Sequence, residues 1–461
     1  MSRESIERCR RASRLSRGLL AGALAGALAA ALLPAAALAG AAPPPAPASA
    51  ATPPTYTNYP APAPLATSAG EPSLSYDAKS GNVMFEAGLQ TLRVSFDDST
   101  SPATASWTDV SYVLTSVVTL DPILYTERTT GRTFVSQLAG ATSLMAFSDD
   151  GGATWTPSQG AGIPAGPDHE TVGGGPVPGG LLPTVTYPYA VYYCSQAIAL
   201  ASCAVSLDGG LTFGAAVPMY NLTQCGGLHG HIKVAPDGTA YVPNANCGNQ
   251  QGVAVSTNAG VTWTVRLVPG SNSPGASDPS VAVASDGTLY FGFADGSGHA
   301  AVAVSHDRGQ TWAHVWDVGA ALGIQNTAFP AMVAGDPDRA AFAFLGTPAG
   351  GAATGDNPNF PAVWHLYVAH TYDGGATWVT VDATPSDPVQ RGTICTAGTS
   401  CSSTRNLLDF MDARADGQGR VLVGYADGCV GSCVGGGPNS GTALGTIARQ
   451  LAGKGVYAAF D

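Results

Sequence analysis

Six residues that carry chemistry recur at the heads of successive segments of this 461-residue chain: Glu71, Asp121, His169, His229, Asp278 and Asp409. Phe329 takes the same place in one further segment, and Asp168, Glu170, His231 and Asp412 lie close by. Gathered around one channel mouth, such a set would crowd carboxylates together. Crowding favours a hard cation such as Ca²⁺, or lifts carboxyl pKa values into a range useful for acid–base work. His229-Gly230-His231 puts two imidazoles on one face of a strand, which could suit a transition metal. The competing reading is structural. Asp-Pro at 121–122 and 278–279 is strand-initiating chemistry, a wet channel mouth tolerates polar side chains, and no compact metal motif such as an EF-hand loop is present. Arg405, four residues before Asp409, is the arginine best placed to face a substrate; its alternative is an ion-pair role.

Elements must position these residues, and the chain writes one element five times. S-D-D-G-G-A-T-W starts at Ser148; close variants start at Ser206, Ser256, Ser305 and Thr371. Asp or Asn at the third place accepts hydrogen bonds from its own downstream backbone, and Gly at the fifth supplies a positive φ. The closing aromatic (Trp155, Phe213, Trp263, Trp312, Trp378) is expected to bury its ring between neighbouring sheets. Upstream, alternating apolar runs broken by Asp-Gly predict tight hairpins, as in the stretches from His229, Asp278 and Asp409. Hairpin plus repeated turn makes four antiparallel strands, and a recurrence of about 50 to 65 residues suits propeller blades. Cuts near Glu71, Asp121, His169, His229, Asp278, Phe329 and Asp409 give seven units, with eroded turns in the first and last. The last unit is expected to complete itself with G-V-Y-A-A-F at 455–460, with no shared closing strand.

The ends and the composition set the compartment. Residues 1–39 read as a bacterial-type secretory signal: six arginines precede an apolar run ending in Ala37-Leu38-Ala39. Residues 40–69, rich in Pro and Ala, read as an extended spacer, and 70–461 as the globular domain. Loss of the signal leaves 14 basic against 30 acidic residues, a formal charge of −16. Such a surface disfavours nucleic acid and anionic membrane. Eight of the nine cysteines remain, and their spacing predicts local disulfides: Cys194 with Cys203, Cys225 with Cys247, Cys395 with Cys401, Cys429 with Cys433. A four-cysteine zinc site is the alternative for the last four.

The five S-x-D-x-G-x-T-W turns resemble the Asp-box, or bacterial neuraminidase repeat, and residues 71–461 are similar to a sialidase-like propeller. The resemblance implies an all-β fold, and six blades would be usual for the family. It implies carboxylate recognition by three arginines, one in an Arg-Ile-Pro motif, with a Tyr nucleophile assisted by Glu and an Asp acid/base. Arg-Ile-Pro is absent here, and nothing promotes Tyr290 or Tyr425 to nucleophile, so no catalytic residue carries over. The long loops after Thr347 and Asp427, the loop bridged by Cys194 and Cys203, and the 382–405 connector fall on the face opposite the repeated turns. The expected function is a secreted, monomeric propeller binding a glycan or a protein ligand through that face. The alternatives are an exo-α-sialidase or related glycoside hydrolase with an altered site, and another hydrolase or lyase using the mouth carboxylates.

Overall fold

A computed structural model describes residues 52–461 apart from 118–120, 141, 160–165, 167, 180–186, 198 and 274; the expected signal and the first part of the spacer lie outside them. Seven antiparallel sheets succeed one another along the chain. Blade 1 spans 73–109, blade 2 122–157, blade 3 168–221, blade 4 233–268, blade 5 280–317 and blade 6 326–382, each ordered one to four from the channel outward. This is a seven-bladed propeller with almost no helix. Among the described residues no helix is long and apolar enough to cross a membrane.

Blade 7 corrects two expectations. Its strands Asp412–Ala415, Val421–Asp427 and Leu444–Ala452 are completed by Thr55–Pro60 from the other end of the chain, paired antiparallel so that Asn58 faces Ala448. Residues 455–460 supply no strand; Ala458–Phe460 is a single 3₁₀ turn. The segment 55–60 is thus an integral outer strand and not spacer. Ring closure satisfies the outer edge of Leu444–Ala452, which would otherwise expose a row of unpaired backbone groups. Tyr56 Oη and His370 Nε2 of blade 6 share a hydrogen bond of 2.8 Å and Tyr425 donates to Asn58 at 3.2 Å, so the closing strand is held by side chains as well.

The repeated turns join strands three and four in blades 2 to 6. In the first, Gly152 N–H donates to Ser148 Oγ (2.8 Å), and Thr154 donates through its N–H and Oγ1 to the two oxygens of Asp150 (2.8 and 2.7 Å). The same net recurs at Ser206, Ser305 and Thr371, and at Ser256 with one bond reversed, Asn258 Nδ2 donating to Thr262 Oγ1. The fifth-place glycine is required twice over. Gly210 has φ +86°, and a Cβ there would lie 2.5 Å from Phe134 of the preceding blade. Each turn therefore docks its blade onto the one before, with the closing aromatic half-buried beside it. The Asp-Gly turns share this face, as shown by Thr288 Oγ1 bonding to His306 (3.1 Å) and Arg308 to Asp237 (2.8 Å).

Candidate functional site

The opposite face carries the long loops, and all four expected disulfides lie on it. Cys194 and Cys203 are register partners across the strand two–three hairpin of blade 3, and Cys225–Cys247 ties the blade 3–4 connector to the end of a blade 4 strand. Cys395–Cys401 and Cys429–Cys433 close small loops in the blade 6–7 connector and in blade 7. These bonds replace the four-cysteine zinc reading. Asp356, in the long blade 6 loop, accepts from the N–H and hydroxyl groups of Ser402, Ser403 and Thr404, and these bonds hold its carboxyl below the usual range. Arg391 then donates to the carbonyl oxygen of Cys433 at 2.7 Å, so the blade 6 connector and the blade 7 loop form one fixed surface.

At the centre of this face the strand starts converge. Glu71, His169 and Phe329 all have left-handed backbones, with φ of 57°, 46° and 56°. Each turns its N–H toward a group at the head of another blade: Glu71 to Leu407 O (3.2 Å), His169 to Asp121 Oδ2 (2.8 Å) and Phe329 to Ser277 Oγ (3.1 Å). Such backbone strain persists only where surroundings over-determine it. His169 is the hub. Its Nε2 lies 2.5 Å from Asp278 and its Nδ1 3.2 Å from Asp168, and its ring meets His229 edge to face at 6.1 Å. Arg405 grips Asp409 through two 2.5 Å bonds, an ion pair at the rim of the mouth.

Charge at the mouth follows from burial. Burial works to lower the His169 pKa, but Asp278, Asp121 and Asp168 outweigh it and raise it to about 9. Glu71 is pushed well up by burial and by Asp121 and Asp409, and Asp121 rises to about 6 through burial despite His169. His229 is buried and pushed down to about 3, so it is neutral, and its Nε2 has no partner among the described residues. Asp121, Asp168 and His169 offer donor atoms within 4.8 Å of one another, the place where a cation would sit. Both ring nitrogens of His169 face carboxylates, however, which suits an imidazolium better than a metal ligand needing a free lone pair. Beneath the hub, His169, His229, His231 and Asp278 line a cavity of only about 20 Å³, room for about one water.

The structure thus brings Glu71, Asp121, His169, His229, Asp278, Asp409 and Arg405 together, while His231 points deeper, edge to face with Phe410 at 4.6 Å. The arginines do not converge. Arg93 donates to Gly151 O, Arg132 pairs with Asp149, and Arg420 and Arg449 pair with Asp98, all away from this mouth. Tyr290 donates to Pro337 O on the turn face. A Tyr–Glu contact that the sequence did not single out, Tyr193 to Glu170 at 2.9 Å, is buried, and among the described residues no arginine is bonded to either. Two channel residues were also missed: Lys233 and Arg414. The signal was available, because H-G-H-I-K and D-A-R repeat the period-two alternation of a channel-facing strand.

No family model matches the sequence, and no curated protein matches it. Solved structures do. The BP39L lectin from Burkholderia pseudomallei is 11% identical, with a TM-score of 0.52 over 84% of this chain and 98% of that one. The GH74 enzyme of Niastella koreensis is 17% identical at a TM-score of 0.51, covering 81% of this chain; this chain spans about half (53%) of its length. The Hadza microbial sialidase Hz136 is more distant, at 15% identity and a TM-score of 0.38 over 83% of this chain and 65% of that one. What this chain shares with the first two is the propeller fold.

Proposed function

We propose that this protein is an exported binding propeller that recognises a glycan through its loop-rich face. One observation carries the reading: all four disulfides and the longest loops are concentrated on the face opposite the repeated turns. Bracing that sheet cohesion does not need is what a preorganised recognition surface requires, since a rigid loop loses less entropy on binding. A lectin is among the neighbours in fold, which is compatible with the reading and no more than that. Hydrolase chemistry finds less support. Asp278 and Asp409 are paired with His169 and Arg405, the cavity beneath the hub holds about one water, and among the described residues no three arginines meet there. The test is a glycan array probed with the oxidised protein and with a Cys395→Ser/Cys401→Ser variant, alongside hydrolysis of a fluorogenic sialoside. Saccharide binding weakened in the variant is expected, without turnover. Sialoside turnover, or an array with no bound saccharide, overturns the reading.

A further inference from the structure

Two connected cavities lie on the axis of the propeller, below the plugged mouth. A cavity of about 190 Å³ is walled by the innermost strands of blades 2 to 7. It shares Tyr125, Val234, Val333 and Arg414 with a wider cavity of about 510 Å³ that opens between the Asp-Gly turns. Toward the loop face the passage narrows at His231 and Phe410. The axis is therefore a tunnel entered from the turn face and closed near the loop face.

The inner part of its wall carries two cations, Lys233 and Arg414, in an otherwise acidic protein, while Glu127, Arg128 and Asp336 line its entrance. The chain has three lysines, and one of them, Lys233, faces this tunnel with its side chain four-fifths buried. The nearest carboxylate oxygen, on Asp412, is 3.9 Å from Nζ, and no described residue accepts a hydrogen bond from it. Asp412 is occupied elsewhere: it accepts from Arg414 Nη1 (2.6 Å) and from the N–H groups of Leu74 (3.2 Å) and Ala413 (2.9 Å). Arg414 uses only Nη1, leaving Nε and Nη2 without acceptors among the described residues. Two cations thus face one carboxylate, with spare donors on both. The other titratable groups facing Lys233, His231 and Tyr125, are neutral, the first pushed down to about 3 by burial and the second pushed up by it. The remaining wall is apolar: Ile232, Val234, Ala282, Val283 and Met332.

We propose that this tunnel is a second binding site, taking a small carboxylate with a short apolar body whose anionic end meets Lys233 and Arg414. An ammonium and a guanidinium with unused donors bind a carboxylate by charge-assisted hydrogen bonds, and the aliphatic wall takes the rest of the molecule. Burial, then Arg414, lowers the Lys233 pKa to about 7 against the opposing pull of Asp412. A bound anion favours the charged form, so binding raises that pKa and affinity falls as pH climbs above about 7.

The probe is butyrate, added to the full chain carrying ¹⁵N-lysine, with butylammonium as the control. Lys233 should titrate upward in butyrate and not in butylammonium, and Lys233→Met should bind butyrate at least tenfold more weakly with an unchanged melting temperature. An unshifted Lys233 titration at saturating butyrate overturns the proposal, as does equal butyrate binding by the folded Lys233→Met variant. The Lys233 titration is read in the unsubstituted protein, so a variant that fails to fold does not decide the matter. Butyrate is not a glycan and enters at the turn face, so the result is independent of the loop-face reading.

Discussion

The two faces of this propeller are built by opposite strategies. On the turn face, one eight-residue net repeats in five blades, each closed by bonds spanning at most four residues. On the loop face no two blades are alike, and the groups that matter come from blades far apart in sequence, as where His169 meets Asp278. Local repetition makes stability modular. Non-local convergence makes a single, cooperative centre whose members cannot be removed independently.

Deleting 52–60 should have the largest effect, because it uncovers the edge of Leu444–Ala452 and tests whether either face survives without ring closure. A loss on the order of 5 kcal/mol or more is expected, enough to abolish cooperative unfolding in a denaturant titration. His169→Ala comes next, at about 3–5 kcal/mol, since it strands Asp278 without its partner and removes the positive charge beside Asp121, whose bond from the backbone N–H of residue 169 remains. A double-mutant cycle with Asp278→Asn should be strongly non-additive; additive losses would contradict a cooperative hub. The same hub predicts a pH dependence. A folded pKa of about 9 for His169 lies above its ordinary 6.5, so its contribution is complete below pH 6.5 and is lost as pH rises through 9. The raised Asp121 acts in the same direction at lower pH, its contribution being lost as pH rises from about 4 through 6. The melting temperature should fall between pH 6.5 and 9, with the slope reduced in His169→Ala.

On the turn face the expected effects are smaller and uniform. Gly210→Ala should lose about 1–3 kcal/mol, through its positive φ and the close approach to Phe134. Ser148→Ala should lose about 1–2 kcal/mol, since its buried hydroxyl accepts from Gly152 N–H and donates to Asp150. The equivalent changes at Ser206, Ser256 and Ser305 should match it to within about 0.5 kcal/mol and add when combined. Unequal or coupled losses, measured by chemical denaturation, would break the modular picture of this face.

Features written over short spans were legible before the fold was known. The repeated turns, the Asp-Gly hairpins and the paired cysteines all close within a few residues to a few tens of residues, so their residue types announce them. The strand starts were legible for a related reason. Each blade begins at the same phase of the repeat, so Glu71, Asp121, His169, His229, Asp278 and Asp409 had to fall on one rim once the blades stacked. What the rim does with its charges was not legible. Whether His169 sits between carboxylates, or Arg405 turns to Asp409 and away from solvent, depends on side chains meeting across blades.

The sequence by itself determined the blade and its two-faced design, because a propeller is a local unit repeated; it favoured seven blades over six, and the seven sheets of the closed ring fix the count. Tertiary structure alone decided that Thr55–Pro60, in a stretch composed like a spacer, is the closing strand, because the edge it covers belongs to residues near the opposite terminus. It alone also decided that the loop-face mouth is plugged and the tunnel behind it opens the other way. Those outcomes rest on which groups lie within a few ångströms after the ring closes, and Coulomb and hydrogen-bond energies depend on that distance, not on position along the chain.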